Sequence, residues 1–247
     1  MTTFRIMSYH INGLLNASGK LTPELSAKVI RAQHVDLVLL QGIGSALGAT
    51  SLKLLSERVG LNHYGPETEG GCAFLSRFPL HNIQASPLGY GGRCLRADLD
   101  WAEERVHLFN VSLSWDLWQR LEQVRLLLSE QILNNPSFPC ATIVAGDFGL
   151  PLWDLGQLHS ARDLKRASLP LWRANYPGRF PLWGRDRIYL RGPIRTLAGE
   201  VIRTSLAKMA SPHLPLVLDV ETKETRKILK IKNSARIASK HPDPVCG

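Results

Sequence analysis

One apolar run does most to limit how this chain can fold: Thr142-Ile143-Val144-Ala145-Gly146-Asp147-Phe148-Gly149. Its continuous apolar character predicts a strand covered on both faces. The run ends in Gly-Asp, so the strand delivers one carboxylate to the mouth of a sheet. Such a carboxylate can hold a metal, take a proton from water or cap a turn. The choice rests on what other segments place beside Asp147. Asp36-Leu37-Val38-Leu39-Leu40-Gln41 has the same character and predicts a second doubly covered strand.

The rest of the chain supplies the cover. Phe4–His10 alternates as a strand, and Asn12-Gly13 signals a turn. Thr22-Pro23-Glu24 predicts a helix start, with a capping hydroxyl, proline in the first turn and an acid near the positive end. A helix is expected over Ser45–Val59. Short strands follow at Gly71–Leu75, His81–Ser86, Arg93–Asp100 and Arg105–Leu113. In the third of these, Leu95, Ala97 and Leu99 alternate with Cys94, Arg96 and Asp98, a half-buried pattern. Asp116–Leu133 reads as a helix with Trp118, Leu121, Val124, Leu128 and Ile132 on one face. Strands are expected at Cys140–Ala145, Arg187–Leu190, Ile194–Thr204 and Leu216–Val220. Between them lies a loop-rich stretch from Pro151 to Gly184 carrying Trp153, Trp172, Tyr176, Phe180 and Trp183. These aromatics either pin the loop to the core or wall a binding site. The pattern is one α/β domain over residues 1–221 and a basic tail over 222–247.

Charge sharpens that division. The formal net charge is +9 and the pI about 9.7, a balance that favours anionic partners. From Glu221 to Gly247, seven Lys/Arg stand against three acids, so much of the excess belongs to the tail. Ile228, Ile231, Ala235 and Ala238 recur there at helical spacing among lysines. The tail is read either as a solvated segment or as a basic amphipathic helix for nucleic acid or an anionic membrane surface. Within the domain Arg162, Lys165 and Arg166 form only a small basic cluster, which argues against a dedicated DNA-reading insertion. The four cysteines, Cys72, Cys94, Cys140 and Cys246, form no C-x-x-C. Scattered thiols, no signal-peptide core and no apolar run long enough to span a bilayer predict a cytoplasmic protein without a transmembrane segment.

Five junctions complete the picture. They are Ser8-Tyr9-His10-Ile11-Asn12-Gly13, Val38-Leu39-Leu40-Gln41-Gly42, Val106 through Asn110 to Leu113, Ala145-Gly146-Asp147-Phe148-Gly149 and Ser211-Pro212-His213-Leu214-Pro215. Phe180-Pro181 through Asp186-Arg187-Ile188-Tyr189 precedes the last. Together, in this order, they resemble the endonuclease/exonuclease/phosphatase superfamily, the fold of pancreatic deoxyribonuclease and the abasic-site endonucleases. Gly71–Leu80 resembles the family's Gly-x-Ala-x-Leu-Ser-Arg-x-Pro-Leu, and Arg120 with Gln123 its Arg-x-x-Gln helix. The resemblance spans residues 4–221. It implies a four-layer α/β/β/α sandwich of two mixed sheets flanked by helices, and hydrolysis of phosphoesters with a divalent metal, usually magnesium.

The resemblance also assigns roles. Asp147 corresponds to the aspartate that orients or deprotonates the attacking water. His213 corresponds to the histidine on the scissile phosphate, and Asp186 to the aspartate that pairs with it. His10, Asn12 and Asn110 join His213 as phosphate-binding candidates, and Asp147 is the one remaining candidate metal ligand. Several partners are replaced. The family's metal-binding glutamate after Gln41 is Gly42, its Gly-Asp-Phe-Asn ends in Gly149, and its Ser-Asp-His contains Pro212. Asn-x-His is reversed as His10-Ile11-Asn12, and Ser112 stands where the family carries His or Tyr. Magnesium rewards carboxylates, which glycine and proline cannot supply. The expectation is a non-catalytic member with no resident cofactor, binding a phosphate-containing ligand, nucleic acid or a protein. The alternative is an active phosphoesterase rebuilt around Asp147 and His213, using magnesium or manganese, or zinc through His10.

Overall fold

The computed structural model describes residues 2–16, 18–44, 48–65, 71–102, 104–135, 140–149, 164–167 and 174–222. Two six-stranded mixed sheets lie face to face with helices on their outer sides. The first sheet contains β1 (Thr2–His10), β2 (Leu37–Ile43), β3 (Asn62–Tyr64), β4 (Gly71–Ser76), β11 (Ile194–Val201) and β12 (Leu216–Thr222). Its order is β11-β12-β1-β2-β4-β3, with β1 and β2 parallel and the other pairs antiparallel. The second sheet contains β5 (Leu80–Gly89), β6 (Gly92–Trp101), β7 (Glu104–Ser112), β8 (Ala141–Asp147), β9 (Lys165–Arg166) and β10 (Asp186–Arg191). Its order is β5-β6-β7-β8-β10-β9, with β7 and β8 parallel. Helices α1 (Pro23–Arg31), α2 (Gly48–Val59) and α4 (Ser205–Ala210) cover the first sheet, and α3 (Leu117–Leu127) covers the second.

Strand alternation sorts the apolar side chains into two layers. Leu108, Ile143, Ala145 and Ile188 face the first sheet and join Ile6, Leu39 and Leu218 in the central core. Their neighbours Phe109, Val144 and Tyr189 point the other way, onto Val124 and Leu127 of α3. Because β8 is covered on both sides, every one of its seven residues is buried. Burying side chains of this size contributes about 1.5–3 kcal/mol each.

Several sequence expectations shift. Cys94 and Asp98 are buried rather than exposed: Cys94 packs with α3, and Asp98 is covered by Asn82, Arg96 and His107. The helix at 116–133 stops at Leu127 and buries Arg120, Gln123, Val124 and Leu127, whereas Trp118 is 77% exposed. Thr22 does not cap α1; its hydroxyl donates to Lys20 O, and Pro23 alone marks the start. β3, β9 and α4 are short elements that the pattern reading passed over. α4 is capped by Thr204, whose hydroxyl accepts from Ala207 N. The proposed tail helix, Trp153, Trp172, Arg162 and the start of the helix at Ser45 lie outside the described residues. No helix among the described residues is long and apolar enough to cross a membrane.

Candidate functional site

The ends of four strands and two loops meet at one mouth of the sandwich. Asp147 closes β8, and Asp186 opens β10 directly across the ladder from it. His10 closes β1 beside Gln41 of β2. The loop after α4 is fastened to β1 by Ser211, whose hydroxyl donates to His10 O at 2.7 Å and accepts from His213 N at 3.1 Å. That clasp brings the two imidazoles together, their rings stacked with centroids 4.2 Å apart and planes 21° apart. His10 Nε2 lies 3.8 Å from Asp147 Oδ2.

His213 and Asp186 form a buried pair, Nδ1 to Oδ2, at 2.7 Å. Burial pushes Asp186 up to about 6, against the lowering effect of His10, Arg185 and Asn175. Burial pulls His213 down to about 4, with Asp147 opposing. At neutral pH the carboxylate is therefore ionised and the imidazole neutral. A carboxylate only accepts, so Nδ1 carries the proton and Nε2 keeps its lone pair. His10 is also pulled down to about 4, first by burial and then by His213, with the two aspartates opposing. Its Nδ1 has no hydrogen-bond partner among the described residues.

Two residues at the centre were not singled out in the sequence. Arg185 lies on Asp147, Nη2 to Oδ2 at 2.7 Å and Nε to Oδ1 at 3.3 Å. Its guanidinium lies in the angle between Trp115 and Tyr176, at 4.6 and 4.7 Å from the ring centroids, the two rings meeting edge to face at 6.2 Å. Asn175, fully buried, donates to Asp186 Oδ2 and Leu214 O and accepts from the backbone N–H groups of Arg185 and Asp186. Only the proximity of Arg185 to the Asp186 segment hinted at either. Of the aromatics in the 151–184 stretch, Tyr176 lies against His213 with ring centroids 4.7 Å apart and stacks on Trp183. Phe180 is 71% exposed. Arg120 holds the carbonyl of Trp115 at 3.1 Å, and Gln123 accepts from Ser114 N at 2.7 Å. The Arg-x-x-Gln helix thus fixes the loop that carries Trp115.

Other candidates are placed differently. Asn110 is fully buried; its amide donates to Leu40 O and Ala73 O at 2.8 Å and accepts from Gln41 at 2.7 Å. These bonds tie the two sheets together and leave no amide hydrogen for a ligand. Asn12 is exposed with φ 48°.

At the positions where the resemblance marks a departure, other parts of the protein come close. At Gly42, φ is 68° and an added Cβ would stand 2.7 Å from His10 Nε2, so the imidazole occupies the space of a side chain there. At Gly149, φ is 79° and a Cβ would collide with Ser114 O. The Pro212 carbonyl accepts from Gly178 N at 2.5 Å.

These facts bear on a metal. His10, Asp147 and His213 offer one ligand atom each, all within 4.8 Å of one another. Magnesium does not fit them. It takes oxygen ligands, and the one carboxylate of the three already accepts from Arg185 and from Gly149 N at 2.8 Å.

A two-sheet α/β sandwich with Asp, His-Asp and strand-end polar residues at one mouth is the deoxyribonuclease-like class of fold. The chain belongs to the Endonuclease/Exonuclease/phosphatase family, whose sequence profile it matches over residues 13–213. It is similar in structure to a family member from Bacteroides thetaiotaomicron, with a TM-score of 0.74 and 14% identity over 90% of this chain and 98% of that one. TDP2 of D. rerio, solved with a single-strand DNA product, gives 0.72 and 15% over 90% of this chain and 100% of the other. A mannosyl-6-phosphatase of B. thetaiotaomicron gives 0.69 and 13% over 88% and 99%. At such identities the likeness concerns the fold alone. No curated protein matches the sequence significantly.

Proposed function

We propose that this chain uses the phosphoesterase fold to bind a phosphate-containing ligand and does not carry out magnesium-dependent hydrolysis. One observation carries the reading: the places of the family's lost ligands are taken by the protein itself. His10 fills the space at Gly42, Ser114 O closes Gly149, and the Pro212 segment is bonded to Gly178. A site that had merely lost its ligands would leave those spaces open to water. The guanidinium on Asp147 and the basic balance of the chain favour an anion. Among the fold neighbours, one was solved with single-strand DNA and another is a sugar phosphatase, so both ligand types are suitable probes.

The test is turnover of bis-p-nitrophenyl phosphate, p-nitrophenyl phosphate and short oligonucleotides with magnesium, manganese, zinc or chelator. The expected rate equals that of Asp147→Ala and His213→Ala in every case. Turnover with magnesium that both substitutions abolish would sink the proposal. A second reading, a rebuilt hydrolase with a nitrogen-rich metal site, has the convergence of His10, Asp147 and His213 in its favour. It requires turnover with zinc or manganese that a chelator removes.

A further inference from the structure

We infer that Arg185 is a resident cation that holds the place of a metal ion, so that the site excludes divalent metals and meets its anion with a guanidinium. The inference rests on the binding reading above and specifies the chemistry of that site. Four observations carry it. First, both Asp147 oxygens accept from Arg185, in the side-on two-bond geometry that fits a carboxylate. A metal would need those lone pairs and would face a positive charge. Second, the guanidinium is built in rather than draped over the surface. Its side chain is 13% exposed, and it sits against both Trp115 and Tyr176, each within cation–π distance. Both rings are themselves fastened, Trp115 through Arg120 and Tyr176 through two bonds with Trp183 backbone. Third, Arg185 Nη1 has no partner within the described residues, so one edge of the fork remains for a ligand. Fourth, the formal net charge of +9 favours an anionic ligand.

The two halves of the inference separate experimentally. Manganese is titrated into wild type, Arg185→Ala and Arg185→Ala/Asp147→Asn by calorimetry. Inorganic phosphate is titrated with chelator and again with magnesium. Wild type is expected to take up no manganese and to bind phosphate equally in both buffers. Arg185→Ala is expected to gain manganese binding, which Asp147→Asn in the same chain abolishes, and to lose phosphate affinity about tenfold or more. Arg185→Lys keeps the charge but loses the fork, and its affinity is expected to fall about threefold. This variant, and the double variant with no unpaired buried carboxylate, keep the test open if Arg185→Ala does not fold. Arg125→Ala, on the exposed face of α3, is expected to change nothing. Manganese binding by wild type that Asp147→Asn removes would overturn the inference, as would phosphate affinity that rises with metal. A wild type that excludes manganese, with uptake appearing in Arg185→Ala, but binds no phosphate supports the metal-excluding role and sinks the binding reading instead.

Discussion

Asp98 and Asp186 each hold a histidine Nδ1 at hydrogen-bond length, 2.8 Å to His107 and 2.7 Å to His213, and all four residues are buried. The surroundings make the two pairs opposites. Asp98 also accepts from Asn82 and from Arg96 on its own strand. Burial pushes Asp98 up, but those hydrogen bonds and the Arg96 charge more than offset it and leave its pKa below the ordinary value. Asp186 lacks a cation of its own, because Arg185 is seated on Asp147, and its Oδ1 has no partner. Its pKa is raised. A buried Asp-His pair is therefore no sign of function by itself. Where both carboxylate oxygens accept hydrogen bonds the pair is a clamp between β6 and β7; where one oxygen is left over, at the mouth of the sandwich, charge is held at a cost to stability.

The largest test of this contrast is Asp98→Ala, which strands the Arg96 charge and His107. It should cost about 4 kcal/mol by urea unfolding. Next comes acid stability. His10 and His213 have folded values near 4 against 6.5 when unfolded, so the unfolded chain binds protons first as pH falls. Their stability contribution is present above 6.5 and lost toward 4. Asp186, raised to about 6, has the opposite sign: it favours the folded state as pH falls from 6 to its unfolded value of 3.8. Two histidines outweigh one aspartate, leaving a net loss of roughly 3 kcal/mol between pH 6.5 and 4. Melting curves across that range should show it, and Asp186→Asn should make it steeper.

Gly42→Glu should cost about 2 kcal/mol, from strain at positive φ and collision with His10. Adding His10→Ala should recover part of that; a strictly additive double variant would mean that the two positions do not share the space. Asp186→Asn at pH 7.5, unlike Asp98→Ala, should stay within about 1 kcal/mol of wild type and lie on the stabilising side, because it removes a buried charge. A loss as large as that of Asp98→Ala would erase the distinction between the pairs. Smallest of all, Trp118→Ala on the exposed side of α3 should fall within about 0.5 kcal/mol.

Much of the fold was legible before the structure. Continuous apolar runs at Leu37–Leu40 and Ile143–Ala145 mark the doubly covered strands, because burial on both faces excludes polar residues regardless of which elements provide the cover. The order of the junctions identified the family, and glycine at 42 and 149 raised the expectation that side-chain ligands are missing there. Patterns failed where cover came from side chains of the neighbouring strands. Asp98 is polar and alternates correctly for an exposed face, yet partners on β5 and β7 bury it.

The sequence by itself determined which strands are buried and which family the chain belongs to. Those properties follow from local periodicity and residue chemistry. Only the tertiary structure decided what stands beside Asp147 and Gly42. Arg185 meets Asp147 across 38 residues of sequence, and Ser211 clasps His10 across 201. Contacts of that kind depend on how two sheets and three loops converge, and no spacing along the chain encodes them. The same convergence turned Gly42 from an empty position into the seat of an imidazole, and Asp147 from a presumed metal ligand into the counter-ion of an arginine.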